Sequence, residues 1–320
     1  MRRLFIKVAG LAIAGALVSA CGGSDDDPGN LVQVAQAQGF SALLAAAQKA
    51  GLDDDLSADS ASLTVFAPTN AAFNALATQL GFADATAMVT ALPASALANI
   101  LSYHVLPARR TAADLVAGGA TQATLYSFGG SASTLGLATT GGVRLTDAAL
   151  TTASVTTADV PASNGVIHVV DKVLVPPGVL NVVQMARVNP TFSTLVAAVT
   201  NANLANALSG AGPFTVFAPT NDAFNAIATT VAGLTTQQLT TVLTYHVLGS
   251  QVLSSGIPFG TPVSTLSGQD ITINNNATAP AIATITDATT TAKDIVAVDV
   301  RASNGVIHVL SGVLIPNLGS

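Results

Sequence analysis

The chain has 320 residues, enough for two domains; half are hydrophobic and only 9% are charged. All 17 acidic residues are aspartates, tryptophan is absent, and the single cysteine excludes an intrachain disulfide, so the core alone must hold the fold. Nucleic acids and anionic lipid surfaces recruit clusters of Lys and Arg, and 11 basic residues in all argue against both as direct partners.

Residues 1–21 read as a targeting segment. Arg2, Arg3 and Lys7 open it, Val8 to Val18 form an apolar run, and it closes on Leu17-Val18-Ser19-Ala20-Cys21-Gly22. That ending resembles a bacterial lipoprotein signal. The resemblance implies cleavage before Cys21 and a lipid attached to it; the alternative is an ordinary secretory signal. Arg2-Arg3-Leu4-Phe5-Ile6-Lys7 resembles a twin-arginine export motif, and also fits a normal basic start. Gly22 after the cysteine, by resemblance to a known sorting rule, leans toward the outer membrane. Loss of this segment leaves eight basic residues against seventeen aspartates, a net charge of −9. No other stretch is apolar over enough length to span a bilayer. Residues 22–30, rich in Gly, Ser and Asp, read as a flexible tether.

A helix is expected over Val32 to Gly51, with Phe40, Leu43, Leu44 and Ala47 on one face. Asp53-Asp54-Asp55 lacks the spacing of a calcium loop and reads as a solvated turn. Residues 63–76, LTVFAPTNAAFNAL, then read as a strand that stops at Pro68 and opens a helix. Thr69 or Asn70 would cap that helix, and Phe73 and Leu76 would share a face. A further helix over Pro93 to Ser102 leads into Tyr103-His104-Val105-Leu106, read as a short strand. Strands are expected over 134–139, 143–146, 155–160 and 166–175, with Asn164-Gly165 as a tight turn.

The whole pattern then repeats. VFAPTN returns 151 residues later with Pro219 and Asn221, Tyr245-His246-Val247-Leu248 returns at 142, and ASNGVIHV returns at 140 with Asn304, Gly305 and His308. Helices are expected over 191–204 and 235–244, with Phe224 and Ile227 sharing a face. Strands are expected over 263–266, 271–274, 282–286, 295–300 and 306–315. A period this long marks a duplicated domain rather than a solenoid. Helices first and strands later argue an α+β fold. Domain one takes residues 31–176, a short stiff linker 177–181 and domain two 182–317, with Pro176-Pro177-Gly178 at the junction.

Three blocks in fixed order, found twice, resemble the fasciclin (FAS1) domain: TVFAPTN with Pro68 and Asn70, then Tyr103-His104, then Asn164-Gly165 with His168. The resemblance covers about residues 31–317. It implies two tandem compact wedges, each with a β-sandwich-like core and several helices, at the cell surface and acting in adhesion, matrix assembly or host association. It brings no enzyme activity and no cofactor. Some members carry apolar pigments such as carotenoids. The acidic-aliphatic integrin motifs of animal members find no clear match.

The four histidines, His104, His168, His246 and His308, all fall in the repeated blocks. A metal centre would need further ligands that no nearby His, Glu or Cys supplies. They read as part-buried groups bonded to backbone or to Asp159 and Asp299. There is no G-x-S-x-G elbow or S-x-x-K, so no catalytic and no metal site is assigned. Arg109-Arg110 has no counterpart in the second domain and reads as a solvated loop or a docking point. The expectation is a non-enzymatic adhesion or matrix-attachment lipoprotein, exported and held in the cell envelope through Cys21. Its partner would be a surface protein or a polysaccharide. The alternative is an envelope carrier of a small apolar ligand such as a carotenoid.

Overall fold

The structure, a computed structural model, describes residues 28–275 and 280–319. Cys21 and most of the tether lie outside the described residues. Each half contributes seven strands. The first has β1 (Leu63–Pro68), β2 (Val105–Leu106), β3 (Thr121–Phe128), β4 (Ser131–Ala138), β5 (Arg144–Thr146), β6 (Thr152–Ala162) and β7 (Gly165–Val170). The second has β8 (Phe214–Pro219), β9 (Val247–Leu248), β10 (Pro262–Ser264), β11 (Asp270–Asn274), β12 (Ala283–Thr286), β13 (Ala292–Ala302) and β14 (Gly305–Leu310). The sheet order is β2-β1-β7-β6-β5-β4-β3 in one and β10-β11-β12-β13-β14-β8-β9 in the other. Among the described residues, β1–β7 and β8–β14 are the parallel pairs.

The long strand β6 pairs with β5 at its start and β7 at its end, so it carries the sheet around a bend. The sheet curls until its edges β2 and β3 lie side by side. The sandwich-like core is thus one nearly closed sheet. Phe66, Tyr103, Leu135, Leu145 and Val170 fill its interior, and Phe217, Tyr245, Ile273, Ile285 and Leu310 fill that of the second. Helices cover the outer face of the β1–β7 side, where a second apolar layer forms.

Several expectations are corrected. The helix over 32–51 is two, Leu31–Ala37 and Ser41–Ala50, because Gly39 at φ +77° turns the chain between them. Tyr103 ends the helix Ala94–Tyr103 and His104 caps it, so the strand is only Val105–Leu106. Asp53 to Asp55 form the exposed first turn of a short helix, where negative charge suits the helix dipole. The last strand of each half stops at Val170 and Leu310. The whole of β3 is additional. Phe224 and Ile227 do not share one helix: Asn221–Asn225 and Ala228–Ala232 are separate, with Ile227 at φ −123° between them. The equivalent Asn70–Leu80 runs unbroken; Thr230 and Val231 are β-branched and poorer helix formers than their counterparts Gln79 and Leu80.

The halves are locked together. Their helix-side cores merge into one apolar cluster that includes Leu76, Val175, Met185 and Val188. Asn189 Nδ2 donates to the Ala149 carbonyl at 2.8 Å. At the linker, Tyr126 donates its hydroxyl to the Pro177 carbonyl at 2.9 Å, and the Gly178 N–H donates to the Arg301 carbonyl at 3.0 Å. The Arg301 guanidinium lies 5.3 Å from the centre of the Phe128 ring, a cation–π contact across the boundary. Gly178, at φ +75°, is required here: a Cβ would stand 2.0 Å from that ring. The linker is stiffened by this clasp as well as by its prolines.

Candidate functional site

The repeated polar residues hold backbone in place. Thr69 caps the helix Asn70–Leu80 by accepting from the Ala72 N–H at 3.1 Å. Asn70 serves a different helix: its Oδ1 accepts from Ala42 N–H at 3.0 Å and its Nδ2 donates to the Gly39 carbonyl at 2.9 Å. Asn221 does the same to Thr194 and Pro190. Pro68 and Pro219 end β1 and β8, beyond the reach of β2 and β9, where a missing N–H breaks no central ladder.

Asn164 sits in the β6–β7 turn beside Gly165. Its Oδ1 accepts from Leu31 N–H at 2.8 Å, while Nδ2 donates to the Leu56 and Ala58 carbonyls at 2.9 and 3.0 Å. Asn304, beside Gly305, repeats this with Val182, Leu208 and Gly210. A single side chain thus ties two distant segments to the turn at the sheet's end.

Each histidine is held in one neutral form. Leu174 N–H donates to His104 Nε2 at 2.8 Å, so the ring proton sits on Nδ1 and is given to the Ile100 carbonyl at 2.7 Å. His246 repeats this between Leu314 and Val242. His168 is reversed: Nδ1 accepts from Asp159 N–H at 3.2 Å and Nε2 faces the Arg110 carbonyl at 2.9 Å. His308 repeats that between Asp299 and Val252. Burial drives His104 and His246 down to about 4 and lowers His308. Phe66 and Phe217 stack on His168 and His308 at 5.7 and 5.6 Å.

Asp159 and Asp299, both at positive φ near 60°, sit where β6 and β13 slip register. Their carboxylates accept from Ala112 and Ser254 N–H groups. Tyr103 and Tyr245 donate to the Thr134 and Asp270 carbonyls, and burial raises both phenols. The side chains of Arg109 and Arg110 point to solvent, while the Arg110 backbone serves His168.

The sequence reading missed Asp147, which is almost fully buried. It accepts from the N–H groups of Ala149, Thr151 and Val175 and from the Thr151 hydroxyl, all within 3.1 Å. Burial still pushes it up to about 6. Asp287 accepts from Thr289 and Ile315 in the same way. The signal was available: Thr-Asp-Ala at 146 returns 140 residues later.

The Ala-rich face of Leu43 to Ala47, which the sequence reads as core packing in preference to a groove wall, does both. Between the helices Leu31–Ala37 and Ser41–Ala50 and the floor of Val65, Leu101, Val105 and Ile167 lies an apolar cleft of about 570 Å³. Equivalent residues of the second half, among them Val182, Val196, Val216, Leu243, Val247 and Ile307, enclose only about 40 Å³. Both ring nitrogens of the histidine on each floor are occupied, so neither histidine offers a free base. Among the described residues, no group of three or more His, Cys, Asp or Glu could hold a metal ion, and no single helix is long and apolar enough to cross a membrane.

Comparison with known proteins places this architecture. Protein sll1483 of Synechocystis sp. is 42% identical over 142 residues, covering 43% of this chain and 74% of its own. A second Synechocystis sp. protein, sll1735, is 36% identical over 147 residues, 42% of this chain and 97% of its own. Transforming growth factor-beta-induced protein ig-h3 of Sus scrofa is 31% identical over 263 residues, 80% of this chain; the chain spans about a third (35%) of that protein. A FAS1 domain pair from the insect cell adhesion molecule fasciclin I aligns over 89% of this chain and 98% of its own, with a TM-score of 0.43 and 18% identity, too loose a likeness to carry argument. The fasciclin domain pattern matches residues 38–176 and again 190–316, and the chain belongs to the fasciclin family as a tandem pair of its domains.

Proposed function

We propose that this protein is a non-enzymatic attachment protein of the cell surface, exported and anchored in the envelope through a lipid on Cys21. The adhesion reading follows from membership of the fasciclin family, whose resemblance implied it from the repeated blocks. One observation carries the reading: every repeated histidine, and the buried carboxylates Asp147 and Asp287, are consumed in holding backbone. What remains to act is the outer surface of two domains clasped at a fixed angle. A surface protein or polysaccharide bound by both at once gains from effective concentration.

The test is attachment of producing cells, with and without this chain, to whole cells and to isolated matrix polymers. Loss of attachment on deletion, restored by the full chain, is expected; unchanged attachment overturns the reading. The carrier alternative has the first-domain cleft in its favour. A stoichiometric apolar compound extracted from protein purified from the producing organism would put it first.

A further inference from the structure

The two clefts are built from equivalent positions, yet only one is open. The open one adjoins the end of the chain that carries Cys21. Leu31, Val32 and Ala35 line it. The described chain enters directly before them: the Gly29 carbonyl accepts from Ser163 N–H at 2.8 Å, and Asn30 caps the helix that Leu31 begins. Pro28, the first described residue, stands seven residues after Cys21. At about 3.3 Å per residue that connection reaches roughly 23 Å, and the hydrocarbon of a lipid on Cys21 extends beyond it.

The cleft's chemistry suits hydrocarbon. Apart from His104, whose ring nitrogens are both bonded to backbone, its floor and inner walls are aliphatic, and polar groups such as Gln36, Gln48 and Asp53 stand at its rim. Its volume falls within the range of small-molecule sites. In the second domain the same space is filled: Val199 replaces Ala47, and the connection ahead of the helix Ser193–Asn201 is one residue longer, passing through Pro190–Phe192.

We propose that the first-domain cleft receives a hydrocarbon chain of the lipid carried on Cys21 of the same molecule. This rests on the lipid-anchor reading above. Hydrocarbon is driven from water equally by a bilayer and by an apolar cleft, so the cleft competes with the membrane for the chain. The anchor is therefore divided between an inserted and a stowed state, and the first domain lies close to the membrane when the chain is inserted.

The test is photocrosslinking in cells that make the full chain. Ala45, exposed on the cleft wall, is replaced by benzoylphenylalanine (Ala45→benzoylphenylalanine); Ala197, its equivalent in the second domain, is the control. Intact mass first reads whether Cys21 carries lipid. Expected is an intramolecular link from position 45 to the lipidated Cys21 peptide, at least tenfold above that from position 197. A lipidated protein without that link overturns the inference and leaves the anchor standing. An unmodified Cys21 overturns both. A link from position 45 to a separate apolar molecule assigns the cleft to another occupant and overturns it too. A second measurement leaves the cleft wall unaltered: the full chain with Cys21→Ser should bind a fluorescent fatty acid at one site, and adding Leu44→Lys should weaken that binding at least tenfold while Val196→Lys should not. Failure of Cys21→Ser protein to bind the probe overturns the hydrocarbon assignment.

Discussion

The two domains are built on one set of polar anchors and differ in how their apolar space is filled. Asn164 and Asn304 make the same three bonds, and the four histidines form two matched pairs with matched partners. By contrast the equivalent clefts differ from about 570 to about 40 Å³, and a helix continuous in the first domain is broken in the second. The physical reason is an asymmetry of cost. Removing one partner of a buried hydrogen bond orphans the other, whereas apolar packing gives way by degrees. After duplication, a change in an anchor is felt at full strength and a change in a cleft is absorbed.

The anchors should therefore be where substitution hurts most. Asn164→Ala leaves the Leu31 N–H and the Leu56 and Ala58 carbonyls without their partner, and should cost about 3 kcal/mol. Asn304→Ala should cost less, about 2 kcal/mol, because one of its three partners, the Gly210 carbonyl, is on an exposed residue. Denaturant unfolding followed domain by domain through hydrogen exchange reads both. Equal costs would show that the third bond contributes nothing.

Acid should separate the domains next. His104 and His246 are neutral in the fold at about 4 and near 6.5 when unfolded. Between those values the unfolded chain binds the extra proton, so each histidine withdraws stability as pH falls through that window, in all about 3 kcal/mol at its lower end. Asp147 opposes this in the first domain. Its carboxyl titrates at about 6 in the fold and near 3.8 unfolded, so the fold binds the extra proton as pH falls between them and gains stability. In the second domain burial also lowers His308, which adds to the loss. Acidification from pH 7 to 4.5 should loosen the second domain well before the first in peptide-resolved hydrogen exchange. Asp147→Asn removes the offset and should bring the first domain into line; a first domain that still resists acid would assign its resistance elsewhere.

How far this was legible in the sequence follows the same division. The duplicated blocks gave the domain count and the α+β class, because a repeated polar motif is readable without knowing its partners. The role of Asn70 was not readable, since it caps a helix 28 residues earlier in the chain. Strand β3 was missed because its alternation is inverted: Gln122 and Thr124 face inward while Leu125 is 47% exposed. Tyr103-His104 looked like strand from its aromatic and β-branched neighbours, and the helix before it overrode that preference. The cleft is a volume between elements, and the Ala-rich face of Leu43 to Ala47 does not by itself tell a groove wall from core packing.

The clasp between the domains should respond more mildly. Phe128→Ala removes the ring that Arg301 covers and that Gly178 makes room for, and Arg301→Ala removes the cation. Each should weaken the coupling by about 1 kcal/mol, and the double substitution should cost little more than either alone, since both break one contact. Spin labels on the two domains would show a broader distance distribution with the cores intact. A distribution as narrow as the native one would place the rigidity in the merged helical core alone.

An effect of similar size on one side, and a smaller one on the other, should come from exchanging the clefts themselves. Val199→Ala gives the second domain the residue of the first and should cost about 1–2 kcal/mol, the range for deleting buried methyl groups when the surroundings relax only in part. Ala47→Val is the reverse exchange in an already open site, and should change stability by less than about 1 kcal/mol because the added methyl groups meet free space. If side-chain volume closes the second cleft, Val199→Ala should let it bind a fluorescent fatty acid. If the longer Pro190–Phe192 connection closes it by drawing the helices together, Val199→Ala should lose stability and bind nothing. The second outcome is the expected one, because Leu31 and Leu44 of the open cleft are already larger than their counterparts Val182 and Val196, so the sum of side-chain volumes does not favour closure in the second domain.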